Sequence, residues 1–529
     1  MAGSRSSVVW SRLMALTLTA LLAGQAVYAQ DAPPAAQDTT APGAHRTGSA
    51  GNRAASPPSS PSAAEQHKLP ADSTTTQKLE LPDRTLSFTA TAGSIRLFDD
   101  KSEPQVDIAY TSYQLDGADR ASRPVTFFFN GGPGASSAYL QLGNAGPWRI
   151  GIDAASVTPS SKPELMPNAD TWLDFTDLVF IDPVGTGYSR FVATGDEVRK
   201  RFFSVDGDVR SLSLVVRRWL EKHDRLASPK FITAESYGGI RGPKIVNNLQ
   251  HDQGIGISGL ILLSPLMDFR DYSGSSLMQY VASLPSYAAV AKQVKGPVTR
   301  ADLADVERYA SGDFLLDLVK GEADTEATNR LADRVASLTG IDQAVSRRLA
   351  GRFDVSEFRR EFDRKNGRIA GRYDGSVLGI DPYPDSSRSR SSDPSGDVLT
   401  APLTSAAVEL TRRLNWHPDG FYELLSGAVN RSWDFGKGIS PPESTGELRQ
   451  ILALDPRLKL LVGHGLFDLA TPYYGSKILL DQLPAFARPP RVKLVVYPGG
   501  HMFYSRDDAR KAFRGEAEAM MKEGREEAR

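Results

Sequence analysis

One short stretch, "AESYGG" at residues 234–239, has the residue types and spacing of a nucleophilic serine on a sharp turn. Ala234 and Gly238 lie two residues before and after Ser236, where such a turn requires small side chains. The apolar run "KFIT" precedes the turn and "IRGPKIVNNLQ" can continue as a helix, which is the setting of these serines. The pattern predicts acyl transfer at Ser236, and the alternative is an ordinary hydroxyl in a loop.

A neutral serine needs a histidine as general base and a carboxylate that orients the histidine. On a strand–turn–helix scaffold the acid and then the base follow the serine, at the ends of the last two strands. The chain has seven histidines, and His501 in "VVYPGGHMF" is the one that satisfies order, loop position and strand end. We predict His501 as the base. His464 is the alternative, because it leaves a strand directly but precedes the candidate acid.

Asp468 in "LKLLVGHGLFDLATPYYG" is the candidate acid, since it follows the preceding strand and lies 33 residues before His501. That interval has room for one helix and one strand. The alternative is that Asp468 only caps the helix beginning near Thr471–Pro472, because Asp is a common helix N-cap. The order and spacing of the serine, the aspartate and the histidine favour a catalytic triad.

Backbone N–H groups must stabilise the negative charge of the tetrahedral intermediate in such a reaction. The N–H of Tyr237, directly after the serine, is one candidate donor. The glycine-rich loop "FFFNGGPGASS" (127–137), which follows an early apolar run, is predicted to supply another. The alternative for this loop is a tight turn without a ligand.

The elements that must position these residues alternate between strands and helices. Continuous apolar runs typical of buried strands occur at 124–130, 177–182, 230–235, 259–265, 458–465 and 492–500. Helical patterns separate several of these runs, and the alternating residues of "LELPDRTLSFTATAGSIRLF" upstream predict antiparallel strands. This order predicts an α/β fold with a mostly parallel central sheet and helices on both faces.

Composition divides the 529 residues into four predicted parts. Residues 1–29 have a basic start, a short apolar run and small residues up to Ala29, as in a cleaved secretory signal peptide. The apolar run is shorter than the ~20 residues of a membrane-spanning helix, which was the alternative. Residues 30–75 are rich in Ala, Pro and Ser and predict a disordered linker. The catalytic domain is predicted at 76–267 and 446–529, interrupted by a helical cap at 268–445.

Composition also limits the chemistry and the partners. The chain has no cysteine, which excludes disulfides, thiolate catalysis and cysteine-ligated metals. We expect no cofactor and no metal. A net charge of −1 gives no electrostatic reason for binding nucleic acid or an anionic membrane. With the signal peptide, these features predict a soluble periplasmic or secreted protein, most consistent with a bacterial source.

Five motifs together resemble the serine carboxypeptidase family of α/β-hydrolase-fold peptidases. They are "NGGPGASS" (130–137), "IDPVGTGYS" (181–189), "AESYGG" (234–239), "GLFDLATP" (465–472) and "GGHM" (499–502), in the family's order. The resemblance covers roughly residues 120–240 and 455–505 and leaves out the predicted cap. It implies the α/β-hydrolase fold and peptide substrates with a free C-terminus.

The resemblance also implies roles for individual residues. Ser236, Asp468 and His501 would form the triad, and the N–H groups of Gly132 and Tyr237 the oxyanion hole. The substrate carboxylate would be held by Asn130, Gly131 and Glu235. A carboxyl group donates to a carboxylate only when it is protonated, which favours mildly acidic pH for peptide hydrolysis.

One departure concerns the carboxylate site. The family has a second glutamate two residues before a Gly-Pro pair, and in "LGNAGPWRI" this position is Asn144. An amide can donate to a carboxylate without first taking up a proton. We therefore expect Asn144 to bind the substrate carboxylate with a weaker acid requirement or an altered specificity.

Three functions remain open at this point. The first is a secreted or periplasmic serine carboxypeptidase, and the second is an esterase or acyltransferase with the same triad. The third, a binding protein on a hydrolase scaffold, is disfavoured by the intact triad and glycine motifs. Asn130 and Glu235 favour the first function over the second, and the sequence does not predict the oligomeric state.

Overall fold

The computed structural model describes residues 68–526, except 154, 273, 275, 387–392 and 437–440. The predicted signal peptide and the linker up to residue 67 lie outside the described residues. The first strand begins at Ser73, so the last residues assigned to the linker belong to the sheet. Every helix in the described part of the chain is too short or too polar to cross a membrane.

A large sheet forms the centre of the structure. In chain order, the strands of the described residues are Ser73–Glu80 (β1), Thr85–Phe98 (β2), Pro104–Leu115 (β3), Val125–Phe129 (β4), Trp148–Arg149 (β5), Met166–Pro167 (β6), Asp177–Ile181 (β7), Arg190–Phe191 (β8), Lys230–Glu235 (β9), Gly259–Leu263 (β10), Arg368–Ala370 (β11), Leu378–Ile380 (β12), Lys459–Gly465 (β13) and Val492–Tyr497 (β14). The sheet has the order β1-β2-β3-β7-β4-β9-β10-β13-β14, with β8 beside β3.

Strands β7, β4, β9, β10, β13 and β14 pair in parallel, whereas β1, β2 and β3 form an antiparallel edge. The parallel strands coincide with the six predicted apolar runs, so the mostly parallel sheet is confirmed.

Helices cover both faces of this sheet. In chain order they are Ala138–Leu140 (α1), Asp196–Phe202 (α2), Val205–Lys222 (α3), Gly238–His251 (α4), Met278–Gln293 (α5), Ala304–Tyr309 (α6), Leu315–Lys320 (α7), Thr325–Thr339 (α8), Gln343–Arg348 (α9), Val355–Glu361 (α10), Asp397–Arg413 (α11), Gly427–Arg431 (α12), Thr445–Leu454 (α13), Tyr473–Asp481 (α14) and Asp507–Glu526 (α15).

Helices α3, α4 and α13 pack on one face of the sheet, and α11 and α15 on the other. Successive strand residues point to opposite faces, so neighbours such as Phe127 and Phe128 belong to different cores.

Residues 268–445, the predicted cap, divide between two packing environments. Helices α5 to α10 bury their apolar side chains together and against Leu466 and Tyr473, which follow β13. Helix α11 instead buries Leu403 and Leu410 in the core of the central sheet. The inserted segment also contains the antiparallel pair β11 and β12. The helical cap is therefore shorter than the whole inserted segment.

Candidate active site

Ser236 lies on the tight turn between β9 and α4. Its φ of 62° is in the left-handed region, which costs a residue with a Cβ of order 1 kcal/mol or more. Its N–H donates to the Leu263 carbonyl (3.0 Å), and its own carbonyl accepts from the Leu266 N–H (2.9 Å). A Cβ on Gly238 would lie 2.8 Å from the Ala234 Cβ. The two arms of the turn are in contact, which is why the small residues are needed.

Asp468 and His501 form a buried pair. His501 Nδ1 lies 2.8 Å from Asp468 Oδ2. Because the carboxylate accepts a hydrogen bond from Nδ1–H, the ring proton stays on Nδ1, and Nε2 is left without a proton and can act as a base. Asp468 Oδ1 also accepts from the N–H groups of Ala470 (2.8 Å) and Thr471 (2.9 Å). The N-cap of α14 is Pro472, so Asp468 organises its own loop and does not cap that helix.

Hydrogen bonds connect the loop that carries His501 to the end of β10, the strand next to β9 and the serine turn. Ser264 directly follows Leu263, whose carbonyl accepts from the Ser236 N–H. The Ser264 Oγ donates to the His501 carbonyl (2.7 Å). Thr471 Oγ1 donates to the Ser264 carbonyl (2.8 Å). The three predicted triad residues thus belong to adjoining loops at the carboxyl ends of β9, β13 and β14.

The two candidate bases differ in protonation and in partners. Burial lowers the pKa of His501, but the charge and hydrogen bond of Asp468, with nearby Glu235, raise it above its usual value. Burial lowers the pKa of His464 to about 3. Its Nε2 lies 2.8 Å from Ser476 Oγ, at helix α14. The acid is therefore paired with His501, and His464 is a buried neutral side chain.

The glycine-rich loop lies directly against the serine turn. A Cβ on Gly131 would be 2.5 Å from the Tyr237 nitrogen and 2.6 Å from the Glu235 carbonyl oxygen. Gly132 is exposed and has a φ of 101°, which favours glycine. Within the described residues, neither the Gly132 nor the Tyr237 N–H donates to a protein acceptor. Two unused donors beside a serine can stabilise an oxyanion.

Arg241 fixes the glycine-rich loop to helix α4, and the sequence reasoning did not find it. Its guanidinium is fully buried and pairs with Asp208 (Nε to Oδ2, 2.6 Å). A second nitrogen donates to the Asn130 carbonyl. The guanidinium carbon also lies 5.2 Å from the centre of the Tyr237 ring. The unusual arginine in the apolar helix sequence "IRGPKIV" was the available signal.

Glu235 is a buried carboxyl beside the nucleophile, 3% exposed. Burial raises its pKa to about 7, with a contribution from Asp468, while His501, Tyr504 and Asn130 act in the opposite direction. The Tyr504 hydroxyl donates to Glu235 Oε2 (2.6 Å). Sequence reasoning missed Tyr504, although its position three residues after His501 placed it in the same loop.

Asn130 and Asn144 are the two amides predicted to bind a carboxylate. Asn130 is 2% exposed, and its Oδ1 accepts from the Leu140 N–H (3.1 Å), which leaves the side-chain NH₂ to act as a donor. Asn144 is 0% exposed, and both polar atoms of its amide are without a protein partner in the described part of the chain. An unpaired buried amide costs about 1–3 kcal/mol, which a bound ligand or water would offset.

A segment of the insertion, residues 371–376, completes the surroundings of the histidine. The Tyr373 carbonyl accepts from the His501 N–H (2.5 Å), and the two rings are 5.2 Å apart. The Arg372 carbonyl accepts from the Leu469 N–H (3.1 Å), directly after the acid. The inserted residues therefore hold the loops that carry Asp468 and His501, which no local sequence pattern indicated.

Comparisons with known proteins show which family and which fold this chain resembles. Residues 97–302 match the model of the serine carboxypeptidase family, a range that includes Asn130, Asn144 and Ser236 but ends before Asp468 and His501. In the fold comparison, the crystal structure of a prohormone-processing carboxypeptidase, KEX1, from Saccharomyces cerevisiae has a TM-score of 0.53. It is 16% identical, and the similarity covers 82% of this chain and 92% of that chain. This similarity confirms the predicted α/β-hydrolase fold.

Curated relatives match over part of their length. "Serine carboxypeptidase-like 2" of Arabidopsis thaliana is 27% identical over 188 residues, which are 33% of this chain and 41% of that protein. "Serine carboxypeptidase-like 29" of the same plant is 32% identical over 180 residues, 31% of this chain and 34% of that protein. "Pheromone-processing carboxypeptidase KEX1" of Yarrowia lipolytica is 31% identical over 173 residues, 32% of this chain and 25% of that protein. The chain thus spans less than half of these relatives and is related to serine-type carboxypeptidases.

Proposed function

We propose that this protein is a serine carboxypeptidase that releases C-terminal residues from peptides through an acyl-enzyme. The observation that carries the proposal is Glu235, a buried carboxyl directly before Ser236 whose pKa is raised to about 7. A carboxyl that keeps its proton near neutral pH can donate to the carboxylate of a free C-terminus. Hydrolysis of a simple ester does not require such a group.

In the proposed acylation step, Ser236 Oγ attacks the scissile carbonyl while His501 Nε2 takes the hydroxyl proton. Asp468 keeps the imidazole in the required tautomer and stabilises its positive charge. The N–H groups of Gly132 and Tyr237 donate to the oxyanion of the tetrahedral intermediate. The C–N bond then breaks, and the leaving amine takes the proton from Nε2. A water molecule repeats the sequence on the acyl-enzyme and releases the shortened peptide.

In a carboxypeptidase the free C-terminus belongs to the leaving group, so the proposed carboxylate site would lie on that side of Ser236. Asn130 donates through its side chain, Gly131 through its N–H, and Glu235 through its carboxyl proton. The unpaired amide of Asn144 would add a donor that needs no proton uptake. These groups recognise the end of a peptide chain and not its sequence, so the substrates are peptides with a free C-terminus.

The alternative proposal is an esterase or acyltransferase that uses the same triad, since water or another nucleophile can resolve one acyl-enzyme. A blocked dipeptide acid, its amide and its ester, compared between pH 5 and 9, distinguish the two. A carboxypeptidase prefers the free acid, and Ser236→Ala abolishes turnover, whereas Ser160→Ala at an exposed loop position is the matched control. Ester cleavage without turnover of the free acid would contradict the peptidase proposal.

We also propose that the protein is exported to the periplasm or the medium of a bacterium. The support is the sequence of residues 1–29, with its short apolar run and small residues before Gln30. Expression of the full chain in a bacterial host, followed by cell fractionation and N-terminal sequencing, tests this. We expect a mature protein that begins at Gln30 and is found in the periplasm or the medium. A protein that stays in the cytoplasm and still begins at Met1 would contradict export.

A further inference from the structure

Tyr504 is a fully buried side chain whose hydroxyl ends at the proposed carboxylate site. It lies on the short turn Phe503–Ser505 after the histidine, and it is 0% exposed. Its hydroxyl donates to Oε2 of Glu235 (2.6 Å). Tyr504 and Glu235 are 269 residues apart in sequence, so this contact exists only in the folded protein.

Packing holds the Tyr504 ring in this position. The ring of Phe503 lies 5.8 Å away at an angle of 71°. A Cβ on Gly143 would be 3.0 Å from Tyr504 Cε2, so the turn that carries Asn144 is in close contact with the ring. Arg510 donates to the Tyr504 carbonyl (3.3 Å). The hydroxyl faces Glu235 and Asn130.

The hydroxyl is a donor that does not ionise under ordinary conditions. Burial, with the adjacent Glu235, raises the pKa of Tyr504 well above its usual value. Oε2 of Glu235 accepts this hydrogen bond, which favours Oε1 as the oxygen that carries the proton of the carboxyl. The serine carboxypeptidase resemblance implies a second carboxyl at the position of Asn144. In this chain a phenol is the neutral donor to Glu235.

We propose that Tyr504 is a positioning residue for the recognition of a free C-terminus: it binds Oε2 of Glu235 and leaves Oε1 to donate its proton to the substrate carboxylate. The inference rests on the proposed carboxypeptidase function. Tyr504 would determine how the Glu235 carboxyl is presented to the substrate. It would act through Glu235 and not on the scissile bond.

The Tyr504 hydroxyl also affects the pH at which Glu235 loses its proton. The groups that act on Glu235 are His501, Tyr504 and Asn130, which lower its pKa, and Asp468, which raises it. Loss of the Tyr504 hydroxyl removes one of the lowering groups, so Glu235 would keep its proton to higher pH. The upper limit of activity on free-acid peptides should then move upward.

The test is Tyr504→Phe, which keeps the ring and its packing and removes only the hydroxyl. We expect kcat/KM for a blocked dipeptide acid to fall at least threefold at pH 6, mainly through KM, because Glu235 loses its fixed orientation. The falling limb of the same profile should move up by about half a pH unit or more. Tyr497→Phe, a tyrosine that stacks on Phe503 outside the site, is the matched control and should move neither value.

Two further measurements distinguish a specific effect of the Tyr504 hydroxyl on Glu235 from a general disturbance of the structure. In a Glu235→Gln background there is no carboxyl to titrate, so the free-acid profile should lack the falling limb both with and without the Tyr504 hydroxyl. Equal losses on free acid and ester, or an unmoved limb in a folded Tyr504→Phe protein, would overturn the inference. If the wild-type protein turns over only the ester, the proposed function itself fails, and the inference fails with it before any variant is compared.

Discussion

Replacing Glu235 with glutamine separates the recognition of a free C-terminus from the chemistry at Ser236. With a pKa of about 7, the protonated fraction of Glu235 falls tenfold for each pH unit above that value, to roughly 1% at pH 9. The wild-type kcat/KM on a dipeptide acid should therefore fall by about tenfold for each pH unit on the alkaline side of its profile, up to pH 9. The ester of the same dipeptide should show no such fall.

Glutamine keeps the shape of Glu235 and donates at every pH. The Tyr504 hydroxyl donates toward Oε2, so the amide oxygen should take that side and Nε2 should face the substrate carboxylate. We expect the variant to be less active than wild type on the free acid at pH 6 and more active at pH 9. Its profile should have no falling limb in this range.

The assay is release of the C-terminal amino acid from the free-acid peptide between pH 5 and 9, with the ester measured in parallel. His501 must be neutral to act as a base and its pKa is raised, so both substrates should share a rising limb above the usual histidine value. A variant that keeps the wild-type falling limb would show that another group titrates. That result would refute the role assigned to Glu235.

Three other changes have definite expected outcomes. Asp468→Asn should lower kcat about 10³–10⁴-fold in a folded protein, measured on the ester, because the amide favours the wrong imidazole tautomer; a loss below tenfold would contradict the triad. Gly131→Ala should abolish activity, since its Cβ would meet the Tyr237 nitrogen at 2.5 Å, whereas Gly151→Ala, with open space, should be near wild type in rate and Tm. His223→Phe should remove an acid-dependent loss of stability. Burial lowers the pKa of His223 in the folded protein to about 4. The free energy of unfolding of the wild type should therefore fall by up to about 3 kcal/mol relative to that of the variant as pH falls from 6.5 to 4. A difference in denaturant midpoint between the two proteins that is the same at pH 4 as at pH 7 would contradict this prediction.

Much of the sheet could be predicted because buried parallel strands are continuous apolar runs. Strands β4, β7, β9, β10, β13 and β14 all coincide with such runs. The inserted segment was harder to divide, since α11 and the cap helices have similar local patterns. Whether an amphipathic helix packs on the cap or on the sheet depends on the surface that it meets, which is a tertiary property.

In the candidate site, too, the sequence predicted some features and the structure was needed for others. Ser236, Asp468 and His501 were found by order and by strand ends, and the structure places them in adjoining loops. The sequence preferred His501 to His464 because His464 precedes Asp468 in the chain. In the structure the two rings have different partners, Asp468 for His501 and Ser476 for His464.

The sequence by itself determined the turn at Ser236, the glycine-rich loop and the order of the acid and base. These features depend on backbone sterics and on alternation between neighbouring residues, which act over a few positions. Only the tertiary structure decided that Tyr504 contacts Glu235, that Arg241 holds the Asn130 carbonyl, and that Tyr373 supports the histidine loop. These contacts join residues 269, 111 and 128 positions apart. Such partners are selected by packing in three dimensions, and no local pattern records them.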